Sequence, residues 1–139
     1  MHGVKLRNYK LSDYSQLKDN LQIAKMYYDD MDSKKLVERM VEKDSDSIII
    51  ADYKDKIIGS VYFIDMGFTA MLWRLNVIPE YRKKGIGEQL IKEVKRRAIK
   101  RGFTQLHFTV HEEFTSLKNW YQKIGVWKGN LYRWMGFDI

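Results

Sequence analysis

The sequence predicts a single domain of the α+β (mixed α/β) class, with a mostly antiparallel, twisted sheet of six to seven strands and about four helices. Its 139 residues suit one compact domain, which we expect to span residues 1–139. Two apolar runs separated by a short turn predict an antiparallel hairpin. One long amphipathic helix lies between two further strands, and that arrangement predicts a parallel pair.

The first half of the chain contains a short strand and two helices. Val4–Asn8 alternates between polar and apolar residues, as a strand does. Ser12 with Asp13 is a typical start for an amphipathic helix, and Asp32 or Ser33 is a typical start for a second one.

The hairpin and the remaining elements follow. The hairpin joins Ser47–Tyr53 to Ile57–Asp65 through a turn that lacks the preferred Asn-Gly or Asp-Gly pair. Met71–Ile78 is a further strand, closed by the only proline. The later elements are predicted as a long helix from Ile86 to the stop at Gly102, a strand over Gln105–Val110, a helix over Thr115–Lys123, and one or two strands in Val126–Ile139.

Composition excludes several kinds of site. The chain has no cysteine, which excludes disulfides, thiolate metal ligands and a thiol nucleophile, and we predict no metal site. No stretch approaches the roughly 18 uninterrupted apolar residues of a membrane span. The first residues also lack the apolar core of a signal peptide. We therefore expect a cytoplasmic location without membrane attachment.

The net charge of +7 is concentrated in the second half of the chain. Residues 70–139 carry 14 Lys/Arg against 6 Asp/Glu, whereas residues 1–69 carry 11 against 12. A basic half suits an anionic partner, either a phosphorylated cofactor or nucleic acid, and it equally suits a solvated helix face. The basic residues Arg96, Arg97, Lys100 and Arg101 have no nucleic-acid-binding motif beside them, so nucleic acid is not favoured.

A glycine-containing segment between a predicted strand and the long helix is the strongest sign of a binding site. It reads Pro79-Glu80-Tyr81-Arg82-Lys83-Lys84-Gly85-Ile86-Gly87. Glycine lets the backbone approach an anion closely, and the first N–H groups of a helix are unpaired. The helix dipole and the cationic side chains add positive potential. The segment predicts a phosphate site, although it matches neither the dinucleotide-binding fingerprint nor the P-loop.

Two motifs make the sequence resemble the GNAT N-acetyltransferases. Leu75-Asn76-Val77-Ile78-Pro79 followed by Arg82-x-x-Gly85-x-Gly87 is similar to motif A of that family, whose pattern is Gln/Arg-x-x-Gly-x-Gly/Ala. Trp120-Tyr121-Gln122-Lys123-Ile124-Gly125-Val126 resembles its second motif, which places a Tyr on a helix before a glycine turn. The predicted order of elements also resembles the family's order.

The resemblance implies acetyl-CoA as the cofactor and an amine as the acceptor substrate. In the family two parallel strands splay apart, and pantetheine lies in the gap against the backbone of the first strand. The implied pantetheine contacts are Leu75, Asn76 and Val77, and the implied pyrophosphate contacts are Arg82, Lys83, Lys84, Gly85, Ile86 and Gly87. Tyr121 is the implied general acid for the departing thiolate, because a phenol is a neutral donor at pH 7.

The proton acceptor for the amine is not identified by the resemblance. Family members place a Glu on the fourth or the fifth strand, and the matching positions here hold Met71 and Thr109. His111, with Glu112 beside it, is the candidate catalytic base because imidazole titrates near neutrality. An exposed surface histidine is the alternative interpretation. Further options for the base are Glu80, Asp65 and water.

The segment between the first two helices is the candidate acceptor site, as it is in the family. It contains Tyr27, Tyr28, Asp29 and Asp30, and clustered acids and tyrosines suit a cationic amine on a small molecule, protein or peptide. Acids also commonly stand at solvated helix starts, so both interpretations stay open.

The aromatic tail suits burial in the core, and paired C-terminal strands are compatible with a homodimer. A degenerate GNAT domain that binds CoA without catalysis, as a sensor or scaffold, is the alternative function.

Overall fold

The computed structural model describes residues 1–139, which form two compact units, residues 1–108 and residues 109–139. The first unit contains a five-stranded sheet in which the strands lie in chain order. Its strands are β1 Lys5–Asn8, β2 Ile48–Tyr53, β3 Lys56–Asp65, β4 Ala70–Val77 and β5 Leu106–His107. Its helices are α1 Tyr14–Ile23, the single turn α2 Asp29–Asp32, α3 Lys34–Lys43 and α4 Ile86–Lys100. The second unit contains α5 Thr115–Lys123.

The predicted fold class is confirmed. Strands β1 to β4 pair antiparallel, and β4 and β5 form the single parallel pair. Four helices have nine residues or more, which agrees with the predicted number. None of the helices is both long enough and apolar enough to cross a membrane.

The sheet is covered by helices on both faces. On one face, side chains of α1 and α3 such as Leu17, Leu21 and Val37 pack with Ile50 and Tyr62 of the sheet. Helix α4 contacts β2, β3 and β4 through its apolar stripe, and it buries Ile86, Leu90, Ile91, Val94 and Ala98. This double burial explains why β2 begins with a continuous apolar run rather than an alternating one.

Local signals place several element ends where the sequence predicts them. The hairpin turn is Lys54–Asp55, and both residues adopt positive φ angles of 51° and 64° in place of the usual Asn-Gly pair. Helix α4 ends at Gly102, whose φ is +87°. The N–H of Gly102 bonds to Ile99 O at 2.9 Å and that of Phe103 bonds to Ala98 O at 3.0 Å, which is a Schellman ending.

The predicted strand count of six to seven is wrong, because the sheet has five strands. Strand β5 is limited to two residues instead of Gln105–Val110, and the tail after Val126 contains no strand. The expectation that the tail aromatics are core is also wrong. The exposed fractions are 60% for Trp127, 87% for Tyr132, 70% for Trp134 and 96% for Phe137.

The close approach of β3 to β4 requires glycine at position 59. A Cβ atom at Gly59 would lie 2.8 Å from Asn76 O, a backbone atom that cannot swing away. We expect Gly59→Ala to lower the free energy of unfolding by about 1–3 kcal/mol, as overpacking typically does. The measurement is urea unfolding followed by far-UV circular dichroism.

Gly136→Ala is the matched control for this prediction. A Cβ at Gly136 meets nothing within 4 Å, and its φ is not in the left-handed region. Equal stability of the two variants would contradict the close approach at Gly59.

Candidate active site

The loop between β4 and α4 presents unpaired backbone N–H groups to solvent. After Val77 the chain makes a single 3-10 turn over Pro79–Tyr81, and α4 then begins at Ile86. Lys83 and Gly85 adopt left-handed φ angles of 60° and 80°. The N–H groups of the first three helical residues, Ile86, Gly87 and Glu88, have no carbonyl partner in the chain. A helix start with free N–H groups of this kind suits an anionic ligand.

The side chains around these N–H groups leave the loop open and basic. A Cβ added at Gly85 meets nothing within 4 Å, so the space in front of this residue is empty. Lys83 and Lys84 are exposed, whereas the Ile86 side chain is buried and anchors the helix start. Arg82 donates from Nε to Val77 O at 2.8 Å, which ties the loop to the end of β4. Glu88 is the single acid in the first turn.

Strand β4 has a long open edge next to this loop. It pairs with β5 only at Ala70 and Met71, so β5 forms no ladder with the residues from Leu72 to Val77. The carbonyl oxygens of Arg74 and Val77 accept from side chains, and an extended ligand can bond to backbone groups of this edge that have no such partner. Leu75, Asn76 and Val77, predicted to contact pantetheine, all lie on this stretch, adjacent to the loop that follows it.

A bulge interrupts β4 in the middle of its open edge. Tyr62 pairs with Trp73 and Ser60 pairs with Asn76, so Val61 of β3 stands opposite two residues, Arg74 and Leu75.

Hydrogen bonds from Asn76 fix the bulge. Asn76 Nδ2 donates to Ser60 Oγ at 2.8 Å and to Arg74 O at 3.0 Å. Asn76 Oδ1 is buried and has no hydrogen-bond partner.

A buried ion pair, missed by the sequence analysis, joins this bulge to α2. Arg74 donates from Nε to Asp32 Oδ1 and from Nη2 to Asp32 Oδ2, each at 3.0 Å. Burial and the charge of Asp32 raise the pKa of the neighbouring Tyr62 phenol. Either Asp32 or Ser33 was expected to cap a helix; Ser33 is the residue before α3, and the Asp32 side chain bonds to Arg74 instead. A charged residue inside the apolar strand Met71–Leu75 is the signal that a buried partner is needed.

The four candidate acceptor residues lie in and before α2. Tyr28 is 56% exposed and its backbone N–H donates to Asp32 Oδ2 at 3.0 Å. Tyr27 is half-buried, and its hydroxyl donates to Asp29 Oδ1 at 2.9 Å. Asp29 and Asp30 are exposed in the first turn of α2. This segment therefore presents an acidic and aromatic surface.

The two candidate catalytic residues belong to the second unit, residues 109–139. Tyr121 is 5% exposed on α5, and burial raises the pKa of its phenol above the ordinary value. His111 is exposed and its ring packs against Phe114 with centroids 5.3 Å apart. The N–H of Glu113 donates to His111 Nδ1 at 3.2 Å. The side chain of Glu112 forms an ion pair with Lys118 at 2.9 Å.

One further histidine was not singled out from the sequence. His107 lies on β5 in register with Met71, and its Nδ1 is 2.8 Å from Thr69 Oγ1. Nothing in the local sequence indicates this register, which depends on how β4 and β5 pair.

The basic face of α4 is largely neutralised by acids of the same chain. Arg101 pairs with Asp44, Asp46 and Asp65 at 2.6–3.2 Å. Hydrogen bonds from Arg96, which has the larger effect, and from Arg97 lower the pKa of Glu93 to about 2. An open polar cleft of about 390 Å³ lies here, lined by Asn8, Asp46, Arg96, Arg97, Lys100 and Arg101. These pairs explain much of the positive charge without nucleic acid.

Comparison with known proteins gives the following similarities. The sequence matches the acetyltransferase (GNAT) family over residues 13–126. It is 30% identical over 88 residues to an acetyltransferase of Pectobacterium atrosepticum, and this match covers 63% of the chain and 62% of that protein. The chain thus spans less than two thirds of the length of this relative.

Solved acetyltransferase structures share the fold. One is the aminoglycoside acetyltransferase AAC(6')-Iy in complex with a bisubstrate analogue, with a TM-score of 0.77 and 18% identity over 98% of this chain and 99% of that one. Another is the PaiA N-acetyltransferase of Thermoplasma acidophilum in complex with coenzyme A, with a TM-score of 0.76 and 23% identity over 88% of each chain.

Proposed function

This chain belongs to the GNAT acetyltransferase family, and we propose that it transfers the acetyl group of acetyl-CoA directly to a primary amine. The observation that carries the proposal is the continuity between the open edge of β4 and the unpaired N–H groups at the start of α4. An extended edge followed by an anion site suits a ligand with an amide-bearing arm and a diphosphate. We further propose that residues 1–139 act as one domain in the cytoplasm.

Donor binding is assigned to backbone more than to side chains. The N–H groups of residues 83–87 would hold the pyrophosphate, with Lys83 and Lys84 adding positive charge. The N–H of Arg82, expected from the sequence to join them, already donates to Pro79 O at 3.2 Å. The edge formed by Leu75, Asn76 and Val77 would bond the amides of pantetheine. When bound, acetyl-CoA supplies the activated thioester, so the chain needs no nucleophile of its own, in agreement with the absence of cysteine.

Tyr121 is proposed as the general acid. Its buried phenol has a raised pKa, so it stays protonated at neutral pH and can give its proton to the thiolate sulfur that leaves. Burial also excludes water that would compete for this donor.

The proton of the attacking amine is proposed to pass to His111 or to water. Because His111 Nδ1 accepts the Glu113 N–H, the neutral ring carries its proton on Nε2. His111 therefore acts as a base only when that local hydrogen bond opens. Asp65, considered earlier as a base, is committed to Arg101, and Glu80 is exposed in the 3-10 turn.

The acceptor is proposed to be a cationic amine recognised by Tyr27, Tyr28, Asp29 and Asp30. Their acidic and aromatic surface attracts an ammonium group electrostatically. The aminoglycoside specificity of one structural neighbour is compatible with such an acceptor. A homodimer stays a prediction, for which the exposed apolar side chains of residues 126–139 are the available surface.

A first experiment separates this function from its alternatives. We expect acetyl-CoA to raise the melting temperature of the protein and to release free thiol when a panel of primary amines is added. Stabilisation without turnover on any amine would favour a CoA-binding sensor or scaffold instead. Salt-dependent DNA binding without acetyl-CoA binding would favour the nucleic-acid alternative.

Gly85→Asp tests the pyrophosphate site. A carboxylate in front of the helix start repels phosphate by several kcal/mol, which corresponds to a loss of acetyl-CoA affinity of about 100-fold or more. Gly102→Asp is the matched control, since Gly102 also has positive φ and open space but stands at the other end of α4. Titration calorimetry that finds equal affinity for the two variants would contradict the site.

Tyr121→Phe tests the general acid. We expect Tyr121→Phe to lower kcat on the order of 100-fold and to leave acetyl-CoA affinity nearly unchanged. Tyr132→Phe, at an exposed position, is the control variant and should leave kcat unchanged. Since a general acid must keep its proton and burial raises the Tyr121 pKa, wild-type kcat is expected not to fall through loss of this proton below about pH 10. An alkaline decline near pH 8 that disappears in Tyr121→Phe would contradict the raised pKa, and an unchanged kcat in Tyr121→Phe would contradict the general-acid assignment.

A further inference from the structure

The carboxylate of Asp32 is a junction between the two halves of the candidate site. Asp32 is 1% exposed. Its Oδ1 accepts from Arg74 Nε at 3.0 Å and from the Tyr62 hydroxyl at 3.3 Å, and its Oδ2 accepts from Arg74 Nη2 and from Tyr28 N–H, each at 3.0 Å. One side chain thus bonds to β3, to the bulge of β4 and to the start of α2.

Arg74 is the residue through which Asp32 reaches the open edge of β4. Its φ is +56°, a left-handed conformation that an arginine adopts only when surrounding contacts hold it. Two sets of bonds do so here: its guanidinium bonds to Asp32 and its carbonyl oxygen accepts from Asn76 Nδ2. The direction of the backbone groups at the bulge therefore depends on the side chain of Arg74.

The same pair also fixes the segment proposed to bind the acceptor. The Arg74 guanidinium lies 5.5 Å from the centroid of the Tyr28 ring, and Arg74 Nη2 is 3.3 Å from Met31 Sδ. The Tyr14 hydroxyl of α1 donates to Asp32 O at 2.9 Å, which anchors α2 from its other side. Displacing Asp32 would therefore move Tyr28 and the β4 bulge together.

We propose that Asp32 and Arg74 are positioning residues that couple the acceptor segment to the donor strand. This inference rests on the proposed function, because it assigns the open edge of β4 to the thioester arm and residues 27–30 to the amine. The pair holds the bulge and the acceptor segment at one spacing, so occupancy of one substrate site favours the binding geometry of the other. Neither residue is assigned a chemical step.

Arg7 provides a matched ion pair outside the site. It lies on β1, at the far edge of the sheet from β5. Its guanidinium bonds to both oxygens of Asp13 at 2.7 and 3.0 Å, and its Nε bonds to Asp52 at 2.9 Å. The Arg7 side chain is 25% exposed against 11% for Arg74. Arg7 therefore serves as the control for losing a bidentate arginine.

The first test compares Arg74→Lys with Arg7→Lys. Lysine keeps the charge but loses the two-pronged geometry at either position. We expect Arg74→Lys to lower kcat by about 10- to 100-fold, as a misplaced catalytic geometry does, and to raise both the KM of the amine and the Kd of acetyl-CoA, because the bulge lies on the donor edge. Arg7→Lys should lower the melting temperature without changing kcat or KM. Unchanged kcat and amine KM in a folded Arg74→Lys would overturn the coupling.

A second measurement uses the wild-type chain and decides the question even if Arg74→Lys does not fold. The N–H of Tyr28 donates to Asp32 itself, so its hydrogen exchange reports on the junction. We expect saturating acetyl-CoA to slow exchange at Tyr28 as well as along residues 72–77 of β4, while amides of β1 stay unchanged. Slower exchange along β4 with no change at Tyr28 would overturn the coupling. Failure of the wild-type protein to bind acetyl-CoA is a different result, which overturns the proposed function and this inference with it.

Discussion

Strand β4 forms an extensive hydrogen-bonded ladder on one side only, and the rest of the candidate active site depends on this asymmetry. On one side it pairs with β3 along nearly its whole length, with Gly59 so close that no side chain fits beneath Asn76 O. On the other side pairing stops after Met71. Backbone groups left without partners must bond to water or to a ligand, so the rigid pairing with β3 is what presents the open edge in a fixed position. The loop between β4 and α4 is fixed relative to this edge because Arg82 Nε donates to the carbonyl oxygen of Val77, the last residue of the strand.

Charge in this molecule is distributed in two distinct ways. Near the C-terminal end of α4 the arginines Arg96, Arg97 and Arg101 are paired with acids of the same chain, and Arg101 alone joins three carboxylates. Such partly exposed pairs contribute modestly to stability, but they hold the C-terminal half of α4 against the sheet. At the other end of the same helix, Lys83 and Lys84 are exposed and have no ion-pair partner. Lys92, Lys95 and Lys100 of α4 are also exposed without an ion-pair partner, so basic surface is available to a partner along the helix as well as at its start.

The sequence predicted those parts of the fold that are specified by neighbours along the chain. Helix α5 has the predicted bounds, and α4 begins and ends at its two glycine signals because local φ requirements are readable from the residues. The anion-binding loop was predictable for the same reason. The Asp32–Arg74 pair was not, since it joins residues 42 positions apart whose proximity depends on the assembled sheet. The register that places His107 beside Met71 has the same origin. The predicted strands of the tail were wrong because an aromatic, strand-prone composition forms a strand only where a partner strand exists, and the sequence of the tail does not contain that information.

The bulge at Arg74 constrains the number of residues in β4. Trp73 and Asn76 are three residues apart, yet they stand opposite Tyr62 and Ser60, which are two apart. Loss of Arg74 or Leu75 would remove the bulge and leave the flanking pairs on their present faces. A loss or gain elsewhere in β4 would turn every side chain on one side of the change to the opposite face, whereas a substitution changes only the contacts of one residue. Substitutions in β4 are thus tolerated more readily than insertions or deletions.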